Sequence, residues 1–455
     1  MPRIDPNIPV FPGHAVFGNT LELRRDRLET FRRIQRLGNV ALIHIGRRPV
    51  IVTSDPEMIQ GILVDHAYDF IKGFNYEFLK RLLGLGLVTS EAELHKRQRK
   101  LVAPALTPKR IANYADTMAS FTERAQEAWA DGATIDVTAE MMSLTLEVVA
   151  KTLFDTSLRD ASETIARTFQ VGAHWVLDEA ERLVHFPYAI PFPRNLRMRA
   201  AMRRMDAVVS RLIAERRASG DSGDILSMLL AAKDDTDGRG MTDQQIRDEA
   251  ITMIFAGHET TANGLAWTFY LLAQHPEVLA KLRAEVDGVL GGRPPALADL
   301  PRLPYTMQVF KESMRRYPPA PIIARRATKP MRLAGYDLDA GQGIAISIYG
   351  MHHRPDFFPE PDRFDPERFA PENEKKLPRH AFLPFATGPR VCIGNHFALM
   401  EGQIILAHLV QRVDLSLVPG ANVVPFPAIT LRAQNGIPMR VTRRKTAPAR
   451  AATGA

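Results

Sequence analysis

Along most of this chain apolar residues recur every three or four positions, the spacing that lays one side of a helix against a core. Leu21, Leu28, Phe31, Ile34 and Leu37 predict a helix over 21–37. Residues 108–235 read mostly as helices, the clearest of them over 135–154, 164–177 and 196–217. In the last, Met205, Val208, Val209, Leu212 and Ile213 form the stripe, with Arg197, Arg203, Arg204, Arg211 and Arg216 on the other side. Such a helix suits a membrane surface or a solvated face over a packed stripe, and the second is the commoner arrangement. Thr242 followed by Gln245 reads as a capping box, from which a helix runs without proline to His275. Another helix, over 305–316, stops at Pro318-Pro319.

Strand patterns are few and short. Two β-branched runs, 40–45 and 50–53, flank Gly46-Arg47-Arg48-Pro49 and predict a hairpin. Runs over 322–328, 344–349 and 437–441 extend this small β region. The first twenty residues hold Pro2, Pro6, Pro9, Pro12, Gly13 and Gly18 and predict an extended arm over the surface. No internal repeat and no Pro/Gly/Ser linker divides the chain. The expected fold class is mainly α with a small β region (α+β), one domain over 1–442 followed by a disordered basic tail over 443–455.

An apolar share of 45% and a charged share of 24% fit a globular protein with a sizeable core. The formal charge of +8 is half explained by Arg443, Arg444, Lys445 and Arg450 in the acid-free tail. The body is then only mildly basic, with no cationic face interleaved with aromatics, so no nucleic-acid partner is expected. No apolar run is long enough for a membrane span, the start lacks the basic-then-apolar order of a signal peptide, and a cytoplasmic location is expected. Asp235-Thr236-Asp237-Gly238 hints at calcium, but Lys233 and Gln244 stand at the first and last ligand positions, which excludes an EF-hand.

The only cysteine, Cys392, rules out an internal disulfide and lies just upstream of a helical pattern that begins after Gly394. Helix N–H groups aimed at its sulfur favour thiolate, and Gly388, Pro389 and Gly394 make a tight loop whose amides approach closely. Arg390 adds a fixed positive charge. A lone cysteine is more often a small buried apolar residue. Here, however, Phe385, Gly388, Arg390, Cys392 and Gly394 compose Phe-x-x-Gly-x-Arg-x-Cys-x-Gly. That pattern resembles the haem-binding loop of the cytochrome P-450 family. The resemblance implies that Cys392 is the axial ligand of a haem iron, that Phe385 packs near the sulfur and that Arg390 reaches a haem propionate.

Other segments extend the resemblance over nearly the whole chain. In the helix from Thr242, the stretch Ala256-Gly257-His258-Glu259-Thr260-Thr261 puts glycine, an acid and threonines mid-helix, which is locally unfavourable. Thr260 is placed to bond back to the Ala256 carbonyl, and Gly257 leaves room for something flat or small. The segment resembles the family's oxygen-activating helix, which implies that Glu259 and Thr260 relay protons to the dioxygen being cleaved. His95 and Arg99 share a helix face and resemble a pair of propionate contacts, although many members have Trp where His95 stands. Lys96, Arg97 and Lys100 would then face outwards towards an acidic redox partner. Glu312 and Arg315, with Arg368 of Pro366-Glu367-Arg368-Phe369, resemble the structural Glu-x-x-Arg set behind the haem. Arg325 matches a propionate-binding arginine in a strand, with its neighbour Arg326 as the alternative, since only one of two strand neighbours faces the haem. The segment 70–87 resembles the loop over the substrate, and Phe74, Phe78, Phe255, Ala256, Ile322, Ile323 and Ile429 are the expected substrate pocket.

The function so implied is that of a haem-thiolate monooxygenase holding haem b (iron protoporphyrin IX). It inserts one atom of O2 into an apolar substrate such as a fatty acid, terpenoid or other lipophilic molecule. Two electrons are expected from an NAD(P)H-driven partner, a ferredoxin with ferredoxin reductase or a flavodoxin. The chain ends at residue 455 and holds no Gly-x-Gly-x-x-Gly after a strand, so no fused reductase is expected. A monomer is expected. The alternatives are a haem-thiolate sensor that binds without turnover and a peroxide-driven enzyme, and the retained Glu259 and Thr260 argue against both.

Overall fold

The computed structural model describes residues 2–182, 184–220, 223–234 and 238–444. Its N-terminal arm is extended as expected, with Ile4 bridging Leu338, Val10 bridging Leu42, and Ile8 and Phe11 buried. The single helix predicted over 21–37 is two, α1 (Thr20–Arg25) and α2 (Arg27–Gln35). Asp26 between them is extended, and its carboxylate accepts from the Glu29 N–H as the cap of α2. Leu21 and Leu37 are therefore exposed while Leu28, Phe31 and Ile34 are buried.

The predicted hairpin is β1 (Val40–Ile45) and β2 (Arg48–Thr53), paired antiparallel. It belongs to a five-stranded sheet with β3 (Phe70–Lys72) and two late strands, β5 (Ile322–Ala327) and β6 (Gly343–Ser347), in the order β1-β2-β6-β5-β3. Helices α3 (Asn75–Leu83) and α4 (Ala92–Val102) follow β3. The helix predicted over 135–154 begins later, as α5 (Val137–Phe154), because Ile135 lies in the short strand β4 (Thr134–Asp136), paired with a strand near the C-terminus.

Helices α6 (Ser162–Ala180) and α7 (Pro193–Ser219) match their predicted stripes. Of the α7 arginines, Arg216 turns inward, ion-paired with Asp224 at 2.6 Å and donating to the Phe154 carbonyl at 2.8 Å. The long central helix α8 (Asp243–Gln274) starts at the predicted capping box and is buried along most of its length. It lies against α5, where the Thr145 hydroxyl donates to the His258 carbonyl at 2.9 Å. A Cβ at Gly257 would sit 3.1 Å from Val149 Cγ2, so this glycine also serves close helix packing.

Helix α9 (Pro304–Arg316) precedes β5, and α10 (Asn395–Arg412) follows the cysteine loop. The chain closes with β7 (Val413–Leu417), the pair β8 (Pro425–Pro427) and β9 (Leu431–Ala433), and β10 (Pro438–Arg443), which pairs with both β4 and β7. Two residues assigned to a disordered tail are thus structured: Arg443 ends β10, and Arg444 donates to Asp287 and to the Val410 carbonyl. The rest of that tail, and Asp235 to Asp237 of the rejected calcium loop, lie outside the described residues. Among the described residues no helix is long and apolar enough to cross a membrane, and no cluster of His, Cys, Asp and Glu suits a metal ion.

Candidate active site

One internal cavity of about 370 Å³ collects most of the chemistry-bearing residues. Helix α8 contributes a stripe at helical spacing, Glu249, Thr252, Met253, Ala256, Gly257, Thr260 and Thr261. The loop over 383–394 brings Phe385, Arg390 and Cys392 to the same space. Gly388 has φ of +75° and passes so close to Leu63 that a Cβ would lie 1.9 Å from its carbonyl oxygen, so a side chain is excluded there on two grounds. The Cys392 N–H donates to the Phe385 carbonyl at 3.0 Å, and Arg99 Nη1 holds the Val391 carbonyl at 2.8 Å.

Cys392 opens onto the cavity although it lies deep in the molecule. Burial raises the pKa of its thiol, opposed by the Gly394 N–H and by the charge of Arg99. This corrects the expectation that the helix start alone yields a thiolate. Desolvation of a bare anion outweighs nearby dipoles, and a cation bound at the sulfur reverses the balance. The positive charge acting on the sulfur is that of Arg99; Arg390 is engaged by the Glu91 carboxylate and the Ser90 carbonyl.

A ring of cations borders the same cavity. Strand β5 alternates, so Ile323 and Arg325 face the cavity while Arg326 lies on the opposite side of the strand. His95 and Arg99 of α4 reach it one helical turn apart. Lys96 and Lys100 are exposed as expected, but Arg97 is half-buried and donates to the Arg239 carbonyl at 3.0 Å. Lys72, which the sequence reading missed, completes the ring. It is opposite Arg325 in the β3–β5 register, and its Nζ donates to the Ser90 carbonyl at 2.9 Å. Burial and the neighbouring Arg390 push its pKa down to about 6. His95 is driven to about 3 by burial first, then by Arg390, Lys72, Arg99 and Arg325.

Cations that depress one another inside a protein call for an anion. Within the ring Glu91 engages Arg390, while Glu249 has its pKa raised by burial to about 7. A large, flat group with two carboxylates at its edge and a soft metal site near the thiol fits this donor set.

Two polar residues of α8 part company. Thr260 Oγ1 donates to the Ala256 carbonyl at 2.8 Å and borders the cavity. Glu259, one residue earlier, does not: it is 2% exposed and accepts from Thr430 Oγ1 at 2.7 Å. Burial raises its pKa to about 8, against the hydrogen bond from Thr430. The adjoining His258 is neutral, its pKa lowered by burial to about 4. At the other end of the stripe, Asp248 and Glu249 accept from the N–H groups of Leu85 at 2.7 Å and Leu87 at 3.0 Å. These acids clamp the loop over 84–88, whose Leu87 and Val88 form part of the wall.

Of the expected pocket, Ala256 and Ile323 line the cavity, while Phe74, Phe78, Phe255, Ile322 and Ile429 are outside its wall. Phe74 and Phe78 share a face of α3 turned to His185 and, from Phe74, to Arg48, while Tyr76, on another face, lines the cavity. Phe255 lies off the α8 stripe against Phe169, Ile322 is on the other side of β5, and Ile429 packs on the main core.

Behind the cavity, Glu312 and Arg315 are fully buried and joined by two hydrogen bonds of 2.7 and 2.8 Å. Arg315 also holds the His352 carbonyl at 2.8 Å, and Arg368 Nε lies 3.6 Å from Glu312. A surface ion pair is thereby excluded; the group ties α9 to the segment before the cysteine loop.

A sequence model of cytochrome P450 matches residues 8–438. Cyclooctatin synthase of Streptomyces melanosporofaciens is 39% identical over 92% of each chain, and cyclooctat-9-en-7-ol 5-monooxygenase of the same organism 36% over 90% of each. Pentalenene oxygenase of Streptomyces avermitilis is 33% identical over 94% of this chain and 96% of its own. The crystal structure of the cytochrome P450DA heme domain superposes with a TM-score of 0.88 at 27% identity, covering 98% of this chain and 99% of that one. With the cysteine loop, the cation ring and the α8 stripe meeting at one cavity, these matches make the chain a member of the cytochrome P450 family.

Proposed function

We propose that the chain is a haem-thiolate monooxygenase that hydroxylates a terpenoid or similar lipophilic molecule, with Cys392 as the axial ligand of haem b. The observation that carries this reading is that Cys392, Thr260 and the buried cation ring border one cavity. Overall, a substrate C–H, O2, two electrons and two protons become C–OH and water. Haem bound through a thiolate supplies the reduction and cleavage of dioxygen.

The rest of the task falls to side chains. Arg99, Arg325 and Arg390 hold the two propionates as cations and His95 as a neutral N–H donor, and the anions in turn favour the charged form of Lys72. Thr260 spends its own proton on the Ala256 carbonyl, so it offers the cavity an acceptor that anchors a water. Glu259, neutral below about pH 8, is the proton source beside it. The wall residues Met253, Ala256, Val88, Leu87 and Ile323 exclude bulk water and suit an apolar substrate. The terpenoid class is supported by relatives named for pentalenene and cyclooctat-9-en-7-ol. Electrons come from a ferredoxin with its reductase or from a flavodoxin, docking near the exposed Lys96 and Lys100.

The carbon monoxide difference spectrum of the reduced protein tests the ligand assignment. A Soret band at the red-shifted position of thiolate ligation is expected, and Cys392→Ser should abolish it. A band at the position of neutral ligation in the parent protein would remove the reading. Steady NADH consumption coupled to product distinguishes the enzyme from a sensor.

A further inference from the structure

Glu259 is neither at the cavity wall nor paired with a cation by a hydrogen bond. Its Oε1 accepts from Thr430, a residue of the turn between β8 and β9 that is 171 positions further along the chain. The Thr430 hydroxyl is itself fixed, because Asn263 Nδ2, one turn along α8 from Glu259, donates to it at 3.3 Å. A hydroxyl has one proton, and here it points at Glu259. When Glu259 is neutral, its own proton is therefore on the other oxygen, Oε2. The turn cannot drift from this position, since Trp267 Nε1 of α8 donates to the Leu431 carbonyl at 2.9 Å and the Leu431 N–H bonds the Pro319 carbonyl at 2.9 Å.

We propose that Thr430 is the positioning residue of the proton-delivering acid: it fixes which oxygen of Glu259 carries the proton and sets the pH at which that proton is lost. This rests on the reading of Glu259 and Thr260 as the relay. The groups around Glu259 are consistent with it. Arg432 of β9 is the charged group that acts on Glu259, and its guanidinium leads outward to the exposed His174 of α6. His258 is on the same helix, and Glu401 of α10 lies under Thr261.

Thr430→Val keeps the shape and removes the hydroxyl; Thr430→Ser retains it. In the haem-loaded protein, the carboxyl C=O stretch of Glu259, identified by its loss in Glu259→Gln, is followed by infrared titration. Losing a donor to the carboxylate disfavours the charged form, so the midpoint in Thr430→Val should rise by about one pH unit and return in Thr430→Ser. The alkaline limb of product formed per NADH, with pentalenene as probe, should move with it. An unmoved infrared midpoint overturns the proposal, and so does a moved midpoint with an unmoved limb, because a purely structural role lowers rate without shifting the profile. The relay itself fails on a different measurement: unchanged coupling in Thr260→Ala would remove it, and this inference with it.

Discussion

Two carboxyl groups shut away from solvent, Glu312 and Glu259, divide the labour around this cavity. Glu312 is met by Arg315 through two hydrogen bonds and approached by Arg368, so its charge is answered on every side by fixed cations. Glu259 is met by a hydroxyl, and burial raises its pKa to about 8. The same side chain is in one place a strut and in the other a store of one proton. What differs is only the partner supplied by the neighbouring element. A buried carboxyl met by a hydroxyl keeps its proton until the solution is alkaline.

The contrast is broken most forcefully at the strut. Arg315→Ala leaves Glu312 buried without its main partner, and a loss of about 3–5 kcal/mol of stability is expected, read by chemical denaturation. Glu259→Gln should cost no more than about 1 kcal/mol, since a neutral group replaces a neutral group, yet product per NADH should fall roughly tenfold or more. If both substitutions destabilise alike, the distinction between strut and store is lost. Because Glu259 donates only when protonated, coupling in the parent protein should decline as pH rises through about 8 and be steady below it. Smaller again is the effect of Arg325→Ala, which removes one charge-assisted contact and should speed haem transfer to a competing acceptor protein roughly tenfold, while Arg326→Ala leaves the rate unchanged. Phe74→Ala should alter substrate affinity least, because its ring packs outside the wall against Phe78, His185 and Arg48.

What the sequence could announce follows from how the parts are made. The cysteine loop was legible because its five defining residues fall within ten consecutive positions, and the α8 capping box and Thr260 bond because both are local. Arg325 against Arg326 needed only the alternation of a strand, once the structure said which face was inside. Lys72 and Thr430 were not legible. Lys72 meets Arg325 through the β3–β5 register, and Thr430 meets Glu259 through a turn pinned by Trp267, contacts no local pattern encodes. The expected pocket aromatics lie off the cavity wall for a different reason. The resemblance put the segment 70–87 over the substrate, but which residue points inward depends on the rotation of α3, and Tyr76 rather than Phe74 or Phe78 borders the cavity. The rise that burial gives the Cys392 thiol was not legible either, because a helix start is visible in sequence and the depth of burial is not.

The segment from Lys72 to Glu91 is closed at its ends by the bonds from Lys72 to Glu91 and Ser90 and held between them by Asp248 and Glu249, at Leu85 and Leu87. Gly84 and Gly86 within it press so closely on Asp248 and Thr252 that a Cβ would lie 2.2 and 2.1 Å from them. A side chain introduced at either glycine would therefore push the segment off α8 and open the cavity wall at Leu87 and Val88, so the backbone contact here is what keeps the chamber closed to water.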